Sequence, residues 1–116
     1  MTTEHLVDGV YLKALNNPSD RPVSKGDFVS TNYILSLANG REVANTYKSE
    51  AFEYQTGTPG QVITGFGVGV HNMNYGGEYL LIVSSNLGFG AQGSSSEIIP
   101  PYSVLIYEVK LLDQST

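Results

Sequence analysis

The sequence contains no cysteine, and this absence excludes several kinds of chemistry. Without a thiol there can be no disulfide bond, no thiolate metal site and no cysteine nucleophile. The compartment stays undecided, because exported proteins can also lack cysteine. The only histidines, His5 and His71, do not form a pair at the spacing of a helical metal site. We therefore expect no metal and interpret both histidines as surface residues.

Basic residues are also scarce, since six lysines and arginines stand against eleven acidic residues and the formal net charge is −5. No run of Lys or Arg is present that could neutralise successive phosphates or hold an anionic membrane surface. Nucleic acid is therefore not an expected partner.

Long apolar segments are absent as well, because no apolar run approaches the ~20 residues of a membrane-spanning helix. Residues 1–5 are polar and acidic, unlike the start of a secretory signal. As written, the sequence indicates a cytoplasmic protein without a membrane span, or an exported or periplasmic one if a leader has been removed. Its 116 residues fit one domain. We expect a monomer, with dimeric and strand-swapped forms as alternatives.

Most of the apolar pattern has a period of two, which is typical of strands. One strand is predicted at Val10–Ala14, followed by a loop rich in turn residues. A second is predicted over residues 28–37, where Asn39-Gly40 favours a hairpin turn back through residues 41–46. The remaining predicted strands cover residues 52–55, 79–84 and 103–112, and the last two should be central and buried.

One segment has the period of a helix. Ile63, Phe66, Val70 and Met73 recur at steps of three and four, which places them on one helical face. Three glycines interrupt this segment, at positions 65, 67 and 69. Each glycine costs roughly 0.5–1 kcal/mol relative to alanine in a helix. Packing rather than propensity must therefore hold the helix.

A long loop over residues 85–101 contains a glycine pattern that resembles a dinucleotide-binding motif. Gly88-Phe89-Gly90-Ala91-Gln92-Gly93 has the required spacing, and Glu108 follows at a suitable distance. The motif binds pyrophosphate only when a helix begins in the glycine turn. Ser94-Ser95-Ser96 and Pro100-Pro101 would interrupt such a helix, so we reject a nucleotide and expect no cofactor.

Other familiar enzyme sites are unsupported. No serine lies in a Gly-x-Ser-x-Gly elbow, and no apolar cage surrounds Glu50 or Glu53 to raise a carboxyl pKa. What remains is a concentration of aromatic and branched residues in the helix and the long loop. They are Val62, Ile63, Phe66, Phe89, Ile98 and Ile99. The pattern alone fits either a core or the lining of a pocket.

From residue 25 to residue 112 the chain resembles the FKBP family of peptidyl-prolyl cis-trans isomerases. The resemblance is carried by Val62-Ile63-x-Gly65-Phe66, Gly69-Val70, Met73 with Gly76, Leu87-Gly88-Phe89-Gly90, and Ile98-Ile99-Pro100-Pro101 followed by a Leu-x-Tyr-x-Val strand. It implies an α+β fold in which a half-open antiparallel sheet of five to six strands wraps around one short central helix. Residues 1–24 would form an N-terminal strand and loop, and residues 25–113 the family core.

The resemblance also implies an apolar pocket for a proline-containing peptide or an unfolded protein segment. The implied catalytic residues are Tyr33, Ile63, Phe66, Phe89 and Tyr107. The implied substrate-binding residues are Val43, Phe52, Val62, Ile98 and Ile99. Phe66 would form the floor of the pocket, and the backbone N–H of Ile63 would point at a carbonyl of the bound peptide.

Three positions depart from the family pattern. Ala44 stands where the family has its pocket aspartate, Phe66 replaces the usual tryptophan, and Phe89 replaces a loop tyrosine. Loss of the carboxylate and the loop hydroxyl predicts reduced isomerase activity in protein folding and, at best, weak binding of macrolide-type ligands. The alternatives are a non-catalytic module that binds a proline-containing partner segment, and a domain of a larger assembly whose own side chains fill the pocket.

Overall fold

The computed structural model describes residues 3–7 (backbone only), 9–16, 19–58, 62–93 and 99–112. Regular structure in these residues consists of seven strands and one α-helix, besides three short 3-10 turns. The strands are β1 Thr3–Val7, β2 Val10–Ala14, β3 Phe28–Leu37, β4 Glu42–Asn45, β5 Phe52–Gln55, β6 Glu78–Val83 and β7 Leu105–Leu111. The helix α1 spans Thr64–His71. No helix in these ranges is long and apolar enough to cross a membrane.

All pairings are antiparallel and belong to one sheet of order β1-β2-β6-β7-β3-β4. β5 pairs with residues 28–31 of β3 and β4 with residues 34–36, so these two short strands follow one another along one edge. The predicted hairpin is confirmed as β3 and β4. β6 and β7 are interior strands, as predicted, and the α+β fold with one short helix is confirmed.

Strand β1 was not expected, because its sequence is largely polar. It lies at the edge of the sheet and pairs with β2 through registers such as Thr3 with Lys13. Edge strands tolerate polar and charged side chains, because these discourage another chain from pairing with the open edge. The sheet therefore has seven strands in six positions, where the resemblance predicted five to six strands.

The helix α1 packs against β6 at very short range. A Cβ atom added at Gly65 would overlap Cγ1 of Val83, and one added at Gly69 would lie 2.6 Å from Cδ1 of Leu81. Both glycines are therefore required by the closeness of helix and sheet. Phe66 and Val70 also face the interior, with exposed fractions of 3% and 0%.

The helix is shorter than its apolar period predicts. Ile63 immediately precedes it and Met73 lies beyond its end, although Met73 is fully buried. The amides of Asn72 and Met73 bond to carbonyls three residues back, at 3.1 and 3.0 Å. Such bonds tighten the last turn and end the α-helical pattern.

A polar contact fastens the loop before β3 to the segment after α1. The Tyr75 hydroxyl donates to Oδ2 of Asp27 at 2.7 Å, and the Ser24 amide donates to the same oxygen at 3.0 Å. The Ser24 amide and the Tyr75 hydroxyl together lower the pKa of Asp27. The Arg21 guanidinium lies 4.5 Å from the Tyr75 ring centre and adds a cation–π contact.

Candidate functional site

A cavity of about 220 Å³ opens beside the N-terminal end of α1. Its walls come from β3, β5, β7, the start of α1 and the long loop. The lining residues are Tyr33, Phe52, Val62, Ile63, Phe66, Phe89 and Tyr107. All seven belong to the ten site residues that the sequence predicts, and the structure brings them together around one space.

Phe66 is the centre of the aromatic cluster in this cavity. Its ring centroid lies 5.0 Å from that of Tyr107 and 5.5 Å from that of Tyr33. The Phe52 ring is 6.2 Å from Phe66, at an interplanar angle of 73°. These separations fall in the range in which aromatic rings attract one another. Each ring is thus held in place by its neighbours.

Strand alternation points the two tyrosines into the cavity. Tyr33 lies on the face of β3 that also carries the buried residues Val29 and Leu35. Tyr107 pairs directly with Leu35 on β7, so it faces the same side of the sheet. Their ring centroids are 5.4 Å apart. The sheet register therefore sets the distance between the two phenols.

The long loop supplies Phe89 from a compact turn. Two 3-10 turns, Ser85–Leu87 and Gly90–Gln92, flank this residue. A Cβ at Gly88 would lie 2.9 Å from Cδ1 of Leu105, so the loop backbone approaches β7 closely. Residues 85–93 form these turns and not the α-helix that a dinucleotide-binding motif needs.

Two of the predicted site residues that the structure describes, Val43 and Ile99, are not in the lining. Val43 is half-buried against the core, in a β-bulge where Ser36 pairs with Glu42 and Leu35 with Ala44. Ile99 is 6% exposed and belongs to the buried core, and Ile98 lies outside the described residues. The bulge at Val43 and the burial of Ile99 explain why spacing alone did not separate these two residues from the lining.

None of the described residues that line the cavity carries a carboxylate or an ammonium group. Burial raises the pKa of Tyr33 and the pKa of Tyr107, so both phenols keep their protons at neutral pH. Within the described part of the chain, neither the Tyr33 hydroxyl nor the Ile63 amide has a hydrogen-bond partner. The cavity is thus lined largely by apolar side chains, and two of its lining residues, Tyr33 and Ile63, carry a donor without a partner among the described residues.

Ala44 occupies the inner face of the sheet near Tyr33. It pairs with Leu35, which is two residues along β3 from Tyr33 on the same face. Diagonal neighbours of this kind have their Cα atoms ~7–8 Å apart, within reach of longer side chains. An aspartate at position 44 would therefore lie on the same face of the sheet as the Tyr33 side chain.

A larger groove of about 520 Å³ adjoins the cavity, and no pattern in the sequence predicted it. Val62 and Ile63 line both spaces. The remaining groove residues are Tyr54, Thr56, Gly57, Thr58, Thr64, Gly67, Val68, His71 and Asn72. Their mixed character and dispersed positions have no periodic signal, so only the fold could assemble them.

Tyr54 carries a buried hydroxyl without a partner among the described residues, and burial raises its pKa to about 12. An unpaired buried polar group costs ~1–3 kcal/mol, so Tyr54→Phe should raise the free energy of unfolding by about 1 kcal/mol. Urea denaturation measures this change. Tyr75→Phe is the control, because it removes a paired hydroxyl and should lower stability. A loss of stability in both variants would contradict the assignment.

Comparison with known proteins gives the same family as the resemblance. The FKBP-type peptidyl-prolyl cis-trans isomerase family matches residues 19–112. FK506-binding protein 1A of Aspergillus fumigatus is 39% identical over 102 residues, covering 87% of this chain and 88% of that protein. FK506-binding protein 4 of Gibberella zeae is 37% identical over 108 residues, 93% of this chain, but the chain spans only 21% of its length.

The fold comparison agrees. The N-terminal domain of FKBP42 from Arabidopsis thaliana superposes with a TM-score of 0.90, covering 100% of this chain and 94% of that one, at 23% identity. At this identity the superposition shows the shared fold. The family match and the fungal relative rest on sequence, so the two kinds of comparison support each other. The chain belongs to the FKBP-type peptidyl-prolyl cis-trans isomerase family.

Proposed function

We propose that the protein is a peptidyl-prolyl cis-trans isomerase of reduced activity that binds proline-containing segments in the aromatic cavity and assists protein folding. The observation that supports this most is the set of seven predicted residues around one space of about 220 Å³. None of the described side chains fills this space, whereas a domain that matters only for its fold would fill it with its own side chains.

The chemistry requires no nucleophile. Amide resonance opposes rotation about the X-Pro bond by ~18–20 kcal/mol, and the twisted transition state has lost that resonance. An apolar and dry cavity favours the twisted form, because the charge separation of the planar amide is lost with the resonance. Ile63 and Tyr33 both line the cavity, and we expect the Ile63 amide and the Tyr33 hydroxyl to hold the carbonyls of the peptide.

The proposed reduction in activity follows from Ala44 and Phe89, neither of which can hydrogen-bond through its side chain. A neutral hydrogen bond contributes ~0.5–1.5 kcal/mol and one to a charged group ~1.5–3 kcal/mol. Since 1.36 kcal/mol corresponds to tenfold in rate, these losses weaken catalysis without abolishing it. Loss of the same hydrogen bonds should weaken the binding of macrolide-type ligands.

The test is NMR exchange spectroscopy on a short X-Pro peptide with wild type, Ala44→Asp and Ala44→Asn. We expect the wild type to accelerate cis/trans exchange and Ala44→Asp to accelerate it about tenfold more, because a carboxylate near Tyr33 restores a charged hydrogen bond. Ala44→Asn is the matched control, since it has the same shape without the charge. Absence of acceleration in the wild type at high micromolar protein would refute the isomerase proposal.

A second candidate is a binding module that uses the same cavity without catalysis. It is favoured by Ala44 and Phe89, whose side chains provide no hydrogen bond at positions where the family pattern has an aspartate and a tyrosine. Chemical-shift changes at Phe66 and Ile63 on peptide addition, without faster exchange, would identify this function. Restored exchange in Ala44→Asp alone would show that the fold and cavity are intact and that catalysis has been lost. A cavity that binds no proline peptide would contradict both candidates.

A further inference from the structure

The groove beside the cavity has a feature that packing does not explain, namely Gly67. A Cβ atom at Gly65 or Gly69 would collide with β6, but one at Gly67 would meet only Cγ2 of Val62, at 3.3 Å. Gly67 also has no positive φ angle. Alanine would favour the helix by ~0.5–1 kcal/mol at such a position. Among the three helix glycines, Gly67 is therefore the one that opens space on the outer side of α1.

The chemistry of the groove suits an uncharged peptide backbone. Among the residues that the structure describes, eleven line the groove, and none of them is Asp, Glu, Lys or Arg. The Thr58 and Thr64 hydroxyls have no hydrogen-bond partner among the described residues, so they are available to amides and carbonyls. Val62 and Val68 add apolar surface. Hydroxyl groups beside small apolar side chains match an extended segment better than a charged ligand.

The position of the groove, next to the proline cavity, indicates which part of a bound peptide would occupy it. Val62 and Ile63 form a wall that the groove shares with the proline cavity. A peptide whose proline enters the cavity must continue on at least one side of this wall. The groove, at about 520 Å³, has more than twice the volume of the cavity at about 220 Å³. It has room for the residues next to the proline.

We propose that this groove is a second subsite, which binds the residues flanking the proline of the same peptide as an extended segment of small, uncharged side chains. This inference rests on the proposed function, because the proline must occupy the cavity first. Gly67 lets the segment approach the backbone of α1, and the Thr58 and Thr64 hydroxyls bind its backbone. Substrate preference would then depend on residues outside the X-Pro pair.

The experiment compares two peptides by titration calorimetry. One is a minimal Ala-Pro peptide with blocked ends, and the other extends it on both sides with serine, alanine and glycine. We expect the longer peptide to bind the wild type about tenfold more tightly. Gly67→Leu and His71→Trp, which fill the groove from two positions on α1, should remove this gain and leave the affinity for the minimal peptide unchanged.

The control variant is Ser36→Leu, which adds the same side chain on the outer face of β3 and should keep the full gain. Equal affinity of the two peptides for the wild type would overturn the second subsite while leaving the cavity proposal standing. A gain that survives both groove variants would also overturn it. Failure of the minimal peptide to bind would refute the proposed function, and the subsite with it. If Gly67→Leu does not fold, His71→Trp alone tests the second subsite. His71 is exposed, so a larger side chain there should not disturb the core.

Discussion

Gly65→Ala should lower the free energy of unfolding by about 3 kcal/mol, although alanine is the better helix former. The added methyl group would overlap Cγ1 of Val83, which has no exposed surface and cannot move aside. Overpacking of this kind costs ~1–3 kcal/mol, and here it must displace either α1 or β6. Equilibrium denaturation in guanidinium chloride measures the change through the midpoint at constant m-value.

Gly67→Ala is the matched control, because it makes the same chemical change in the same helix. Its methyl group would meet only the Val62 side chain, so stability should change by less than about 1 kcal/mol. Gly69→Ala should follow Gly65→Ala, because its Cβ would lie 2.6 Å from Cδ1 of Leu81. Equal effects at Gly65 and Gly67 would show that α1 does not pack so closely on β6.

These glycines show which features the sequence can predict. Alternating apolar residues identified β2 and β3, and Asn39-Gly40 identified the hairpin turn, because these signals are local. The helix was predicted from Phe66 and Val70, which are both buried in it. The different reasons for Gly65 and Gly67 were not predictable, because they depend on what lies opposite each glycine in the folded chain.

The candidate site likewise combines features that the sequence predicts with features that only the folded chain shows. Seven predicted residues share one cavity, and their proposed roles in binding and catalysis remain predictions. The placement of Val43 depended on a β-bulge, whose extra residue leaves no periodic signal. Strand β1 was missed because an edge strand can be polar. The groove beside Gly67 was missed because distant segments form it. Residue types and local periodicity can thus be used to predict the lining residues, whereas contacts between distant segments cannot be predicted from them.

Phe66→Ala should have the largest effect on both stability and function. Phe66 is 3% exposed and its ring lies within 6.2 Å of those of Tyr33, Phe52, Tyr54 and Tyr107. Loss of a buried phenylalanine costs ~3–5 kcal/mol, and the cavity loses the ring at the centre of its aromatic cluster. We expect exchange of an X-Pro peptide to fall to the uncatalysed rate, because water can enter where the Phe66 ring stood and the proline loses its central contact.

The two effects can be separated with Met73→Ala. Met73 is fully buried close to the end of α1 but does not line the cavity. Its truncation costs ~2–5 kcal/mol, which overlaps the range expected for Phe66→Ala. Measured at low temperature on samples that NMR shows to be folded, Met73→Ala should keep the wild-type exchange rate. If Met73→Ala loses catalysis as completely as Phe66→Ala, then general destabilisation explains the loss, and Phe66 has no specific role in the cavity.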